Sequence, residues 1–140
     1  MNLSFHEKSL RLTFATVAAA FALYFALVLP HASWSGIVGP GEVALFVAVV
    51  LALVVLQVAG FVMIAIADRR TRTDERDRLV ALKGSRNGGF VLACGVFVAL
   101  CLAVAYPASN FAFTHVLLAF WVAAQLVDTG TQIVLQRMGV

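Results

Sequence analysis

The sequence predicts an all-α, polytopic membrane protein of four transmembrane helices arranged as two hairpins, with both termini in the cytoplasm. Three observations predict it. Four long apolar runs take up most of the 140 residues, 62% of which are hydrophobic. Charged residues make up only 12% of the chain, against roughly 25% in an ordinary soluble domain. The basic residues are also confined to alternate connections between the runs, which is the asymmetry that orients membrane proteins.

The runs are Leu12–Leu29, Val43–Ala67, Phe90–Tyr106 and Phe111–Val127, the last continuing to about Val134. A helix rises about 1.5 Å per residue, so about 20 apolar residues cross a hydrocarbon layer of about 30 Å. The first, second and fourth runs reach that length, and the third does so once Gly88 and Gly89 join its first turn. Lipid offers the backbone no hydrogen bonds, so each run must satisfy its own amides as a helix. The alternation expected of a membrane barrel is absent.

The first run follows Lys8 and Arg11, as a signal peptide would. It is too long for a signal segment, however, and Pro30 spoils the only small-residue site, "VLPHAS", so the run is read as a retained span. Ala18, Ala22 and Ala26 recur every four residues on it, with Ala15 and Ala19 beside them. Such rows mark close helix contacts in lipid, here within the bundle, with homodimerisation as the competing use.

The connections "PHASWSGIVGPGE" and "PASN" carry no Lys or Arg. All ten basic residues lie before the first run, between the second and third, or after the fourth. This places residues 68–86 in the cytoplasm as a charged loop within a single domain spanning residues 1–140. Seven of the ten are Arg69, Arg70, Arg72, Arg76, Arg78, Lys83 and Arg86, in the stretch "DRRTRTDERDRLVALKGSR". Asp68, Asp74, Glu75 and Asp77 accompany them, leaving a modest positive excess. That excess orients and anchors a loop against anionic lipid at about 1 kcal/mol per basic residue. The interspersed acids and the lack of aromatics exclude a nucleic-acid surface.

Within the loop, "TDERDRLVALKG" reads as a short amphipathic helix at the membrane surface. Thr73 is its cap, and Asp74 and Glu75 stand at the positive end of its dipole. Asp74–Arg78 and Glu75–Arg78 are its ion pairs, Leu79, Val80 and Leu82 its apolar patch, and Gly84 its stop. The basic residues named above, with Leu79 and Leu82, are the candidate docking residues for a protein partner or for lipid.

Gly84 and Gly88, then Gly95 and Ala99, extend the small-residue pattern into the third run. Cys94 and Cys101 lie two turns apart there, too far for an intrahelical disulfide, and read as small packing residues. Trp34, Tyr106 and Trp121 read as interface or packing aromatics. Polar groups inside the runs are few. Gln57 in the second and Gln125 in the fourth sit at similar depth and are expected to hydrogen-bond each other. Asp128 shares a face with Gln125, Thr131 and Gln132, near the cytoplasmic end. A carboxylate at a helix centre costs about 2.5–3.5 kcal/mol, so Asp128 is expected to pair with Arg69 or Arg86, or to handle protons or cations. His31 and His115 lack a third ligand, so no metal site is expected.

The segment "TDERDRLVALKGSRNGGFVLACGVF", in this four-helix setting, resembles a family of small bacterial inner-membrane proteins of unknown function. The family shares a "DERD-x-x-(I/L/V)-x-x-(K/R)-(G/A)" segment leading into the third helix. Asp74, Glu75, Arg76, Asp77, Val80, Lys83 and Gly84 carry the match. The resemblance implies a bacterial inner-membrane location and a partnership with a small helix-turn-helix regulator, and it supplies no catalytic or binding residues.

No nucleophile–base pair, metal motif or cofactor fingerprint is present, so no enzyme, catalytic residue or cofactor is expected. The partners expected are the bilayer, a cytoplasmic or membrane protein, and a second copy of the chain. The function expected is that of a non-enzymatic interaction or regulatory subunit working through the 68–86 loop. The alternative is a small transporter or channel working as an oligomer.

Overall fold

The structure is a computed structural model, and it describes residues 5–33, 36–67, 75–106 and 109–138. Among these, four helices are long and apolar enough to cross a bilayer: α1 (Phe5–Val28), α2 (Pro40–Ala67), α3 (Glu75–Ala105) and α4 (Phe111–Met138). The protein is thus all-helical and multi-pass, as the four apolar runs predict.

Local chemistry sets the helix ends. α1 contains no Gly or Pro, and it closes through a 3-10 turn, Leu29–His31, that accommodates Pro30. Pro40 opens α2 at the position where its missing N–H costs nothing. The Glu42 carboxylate reaches back to accept the Gly39 N–H at 2.7 Å, one half of a capping box. Near the start of α1, the Arg11 guanidinium donates to Glu7 at 2.5 Å, one turn away.

α1 packs against α2 and α4, and α4 packs against α3. Among the described residues the backbones of α2 and α3 do not come together, nor does either approach the other's neighbour, although side chains of α2 and α4 face each other across a cavity beside Tyr24. The contact order is therefore α2, α1, α4, α3, a row rather than a closed ring. α2 buries only Leu53 and otherwise turns an apolar surface outward, as a lipid-facing helix does.

The two central helices hold the core. On α1, Val17, Phe21, Tyr24 and Val28 follow a spacing of 4, 3 and 4 residues. They meet Phe111 and Val122 of α4 and Leu53 of α2, and Phe21 stands edge-on to Trp121 with ring centres 5.8 Å apart. The alanine rows are not the main contact face, although Ala15 and Ala19 line an open groove between α1 and α2. Ala15, Ala19, Ala22 and Ala26 are exposed, because the larger Val17–Phe21–Tyr24 stripe takes the contact face.

The α3–α4 seam works the other way, through missing side chains. Gly84, Gly88, Gly95 and Ala99 are buried on one face of α3. A Cβ on Gly88 would lie 2.7 Å from the Ala124 carbonyl oxygen, and one on Gly95 would collide with the Phe120 side chain. The small-residue pattern predicted for this helix is accordingly spent within the chain. Cys94 and Cys101 fall off that stripe and are exposed, so they are not packing residues.

Candidate functional site

Three polar features stand out from the apolar scaffold. The first lies at the end where the short connections meet. The Ser109 hydroxyl donates to the Gly36 carbonyl at 2.9 Å, as does the Phe111 N–H at 3.2 Å. The Asn110 side-chain oxygen accepts the Val38 N–H at 2.8 Å. These bonds stitch the two connections into one cap over the bundle.

Beneath the cap, the Tyr24 hydroxyl lies 3.0 Å from His115 Nε2, joining α1 to α4. Both residues are buried, at 3% and 2% exposure. His115 Nδ1 is 2.9 Å from the Phe111 carbonyl, which can only accept, so Nδ1 carries the proton and Nε2 accepts from Tyr24. The imidazole stacks on Phe111, and Tyr24 is walled by Phe21, Phe25 and Phe46. A cavity of about 130 Å³ beside the pair is lined by Glu42, Thr114 and apolar residues of α2 and α4. With both ring nitrogens engaged, His115 has no lone pair for a metal. Among the described residues no group of three His, Cys, Asp or Glu could hold one. His31 stands apart at the surface, on the Leu27 carbonyl.

Tyr24 was absent from the sequence-based candidates. The signal was there, since a tyrosine hydroxyl inside an apolar span needs a partner and His115 is the buried group able to accept from it.

The second feature surrounds Asp128. Its carboxylate accepts from the Gln132 side chain at 2.8 Å, one turn on along α4. A Cβ on Gly84 would lie 2.5 Å from the same carboxylate, so α3 lies directly over it. The expected pairing with Arg86 does not form, because Arg86 points away on the exposed face of α3. Arg69 lies outside the described residues. Asn87 reaches Thr131 at 3.4 Å, and the Thr129 hydroxyl turns back to the Gln125 carbonyl at 2.7 Å. The expected Gln57–Gln125 bond is also absent. The α2 and α4 backbones do not come close, and Gln125 is exposed.

The third feature is the charged end of α3. The expected short helix ending at Gly84 is instead the first part of one 31-residue helix. Gly84 does not stop it, because α4 needs that position bare. Val80 and Gly84 face α4, which leaves Leu79 (57% exposed) and Leu82 (60% exposed) on the opposite side. Arg78, Lys83 and Arg86 flank the leucines and are exposed. Among the described residues these three have no carboxylate partner, and the Glu75–Arg78 pair is not made. Exposed arms of this kind gain little from pairing in water. Arg76 instead reaches across to the Gln136 carbonyl at 3.4 Å, tying the start of α3 to the end of α4. Arg70, Arg72, Thr73 and Asp74 lie, like Arg69, outside the described residues, as does Trp34.

No protein-family model, curated protein or solved structure matches the chain.

Proposed function

We propose that the protein is a non-enzymatic interaction subunit of the bacterial inner membrane, threaded as two hairpins with both termini and residues 68–86 in the cytoplasm. The distribution of basic residues supports that threading, since every Lys and Arg falls on one side. The resemblance of the Asp74–Gly84 segment to small inner-membrane proteins supports the location. The observation that carries the function is the bare pair Leu79 and Leu82, exposed on a continuous helix and flanked by Arg78, Lys83 and Arg86, which have no carboxylate partner among the described residues.

Two exposed leucines framed by charge suit the centre and rim of a small protein interface. Two polar sites inside the bundle, by contrast, are bonded internally. Tyr24 bonds His115, and Asp128 bonds Gln132. A second reading, an oligomeric transporter, draws on Asp128 as a half-buried carboxylate within a span. Its test is proton-coupled flux into liposomes, lost in Asp128→Asn.

The test of the main reading is quantitative affinity isolation of the intact chain from crosslinked cells. It compares the wild type with Leu79→Ser/Leu82→Ser at equal membrane abundance. A protein enriched with the wild type and lost with the double variant supports the reading. An identical set of co-isolated proteins from both overturns it.

A further inference from the structure

We infer that the projecting end of α3 docks an acidic amphipathic helix of a partner protein, rather than the membrane or a second copy of this chain. This rests on the interaction role proposed above and names the chemistry of the partner.

α3 has 31 residues and at about 1.5 Å each is about 46 Å long, whereas the hydrocarbon layer is about 30 Å thick. About ten residues must therefore stand outside it. Residues 87–105 carry no Asp, Glu, Lys or Arg, whereas 75–86 carry six, so the projecting part is the charged one. Leu79 lies seven residues before Arg86, which puts it about 10 Å beyond the point where charge stops.

The projection cannot fold down onto the bilayer without breaking α3. The helix is continuous through Gly84, and α4 holds it there. Gly84 sits against Asp128 and Gln132, Gly88 against Ala124, and Arg76 spans to the Gln136 carbonyl. An interfacial amphipathic helix buries its leucines by lying flat in the headgroups. This one continues the axis of the span, which would carry Leu79 and Leu82 away from the hydrocarbon.

A second copy is a poor cover for the same face. Two chains inserted in the same sense would pair this face in parallel, setting Arg86 and Lys83 against their own counterparts. Like charges at such a contact select against it. The face asks for the opposite sign. Glu75, Leu79, Leu82 and Arg86 follow the spacing of 4, 3 and 4 residues that seats a second helix, with Arg78 and Lys83 on the flanks, so three cations stand beside one acid. A helix presenting apolar residues at that spacing, with Asp or Glu beside them, matches both the apolar centre and the cationic rim. Two leucines make a small centre, so the contact belongs to the transient class.

The experiment is in-cell crosslinking from a photoreactive residue at position 79 of the full chain, with the adducted peptides sequenced. The expected adduct is a protein segment with Asp or Glu beside apolar residues at helical spacing. Its yield should fall about tenfold or more in Lys83→Glu/Arg86→Glu. Charge reversal also removes residues that hold the threading, so Leu82→Ser, which keeps every charge, is measured beside it and should lower the yield comparably. Adducts to lipid alone, or to a second copy, overturn the inference. A protein adduct on a segment without acids, or one insensitive to the charge reversal, removes the acidic helix while leaving the docking role standing. The absence of any protein adduct removes both.

Discussion

At the residue scale, stability turns on polar atoms that have one partner each and on glycines that have none to spare. The Tyr24 hydroxyl is the donor to His115 Nε2, so Tyr24→Phe strips that nitrogen of its bond while leaving the ring packing in place. Polar bonds within membrane proteins average about 0.6 kcal/mol and reach about 1.7. A buried, single-partner bond between two helices belongs at the upper end. Tyr24→Phe should therefore destabilise the protein by about 1–1.7 kcal/mol in reversible unfolding from micelles. An unchanged midpoint would mean that water in the neighbouring cavity replaces the hydroxyl. Gly88 and Gly89 offer a sharper contrast. A Cβ on Gly88 would sit 2.7 Å from the Ala124 carbonyl oxygen and 3.0 Å from Asp128 Cβ, whereas one on Gly89 meets nothing within 4 Å. Gly88→Val should cost about 1–3 kcal/mol by forcing α3 from α4. Gly89→Ala should be neutral or stabilising, since alanine favours the helix. Equal effects from the two substitutions would deny that this seam is close-packed.

At the element scale, the positions of the helices were legible in the sequence, while their ends and faces were legible only in part. The apolar runs locate all four spans because the hydrophobic requirement of a bilayer acts on each helix by itself. The stop assigned to Gly84 failed because glycine ends a helix only where nothing rewards continuing, and here α4 packs against the bare position. The main contact face of α1 was not legible for a related reason. Alanine rows are common in a chain this apolar, and the Phe21–Tyr24 stripe wins the contact by filling more space. Gly84, Gly88, Gly95 and Ala99 were legible because glycine is scarcer and has a single plausible use in lipid. Continuity of α3 is the element-scale claim with the most riding on it, and it has a direct measure. Spin labels at positions 79 and 97, both exposed, are separated by eighteen residues of one helix, about 27 Å along the axis. A narrow distribution near that distance in lipid nanodiscs is expected. A broad or markedly shorter one would mean that the charged end bends at Gly84 to lie on the membrane.

At the scale of the whole molecule, the contact row α2, α1, α4, α3 joins the two halves of the sequence chiefly through α1 and α4. That order was not legible beforehand. Gln57 and Gln125 were expected to meet because equal depth in the membrane is readable from sequence, but lateral adjacency is not. Lateral order comes from the fit of surfaces, and the fit here is carried by Phe21 edge-on to Trp121, the Tyr24–His115 bond, and Phe14 beside Gly130. The short connections reinforce it at one end, where Gly36 accepts from Ser109 and Phe111. At the opposite end α2 and α3 make no helix–helix contact, so no packed surface joins them there. The chain should therefore tolerate being cut there. Residues 1–67 and 75–140, co-expressed as separate polypeptides, each keep a packed helix pair and each present one side of the α1–α4 interface. They should co-purify from mild detergent, and Tyr24→Phe combined with Trp121→Ala should lower the recovered complex several-fold, because it removes both the bond and the edge-on ring contact. Recovery of the two fragments apart, with each stably inserted, would show that the link between α2 and α3 holds the row together. Recovery as a complex indifferent to Tyr24 and Trp121 would move the joint between the halves away from α1 and α4.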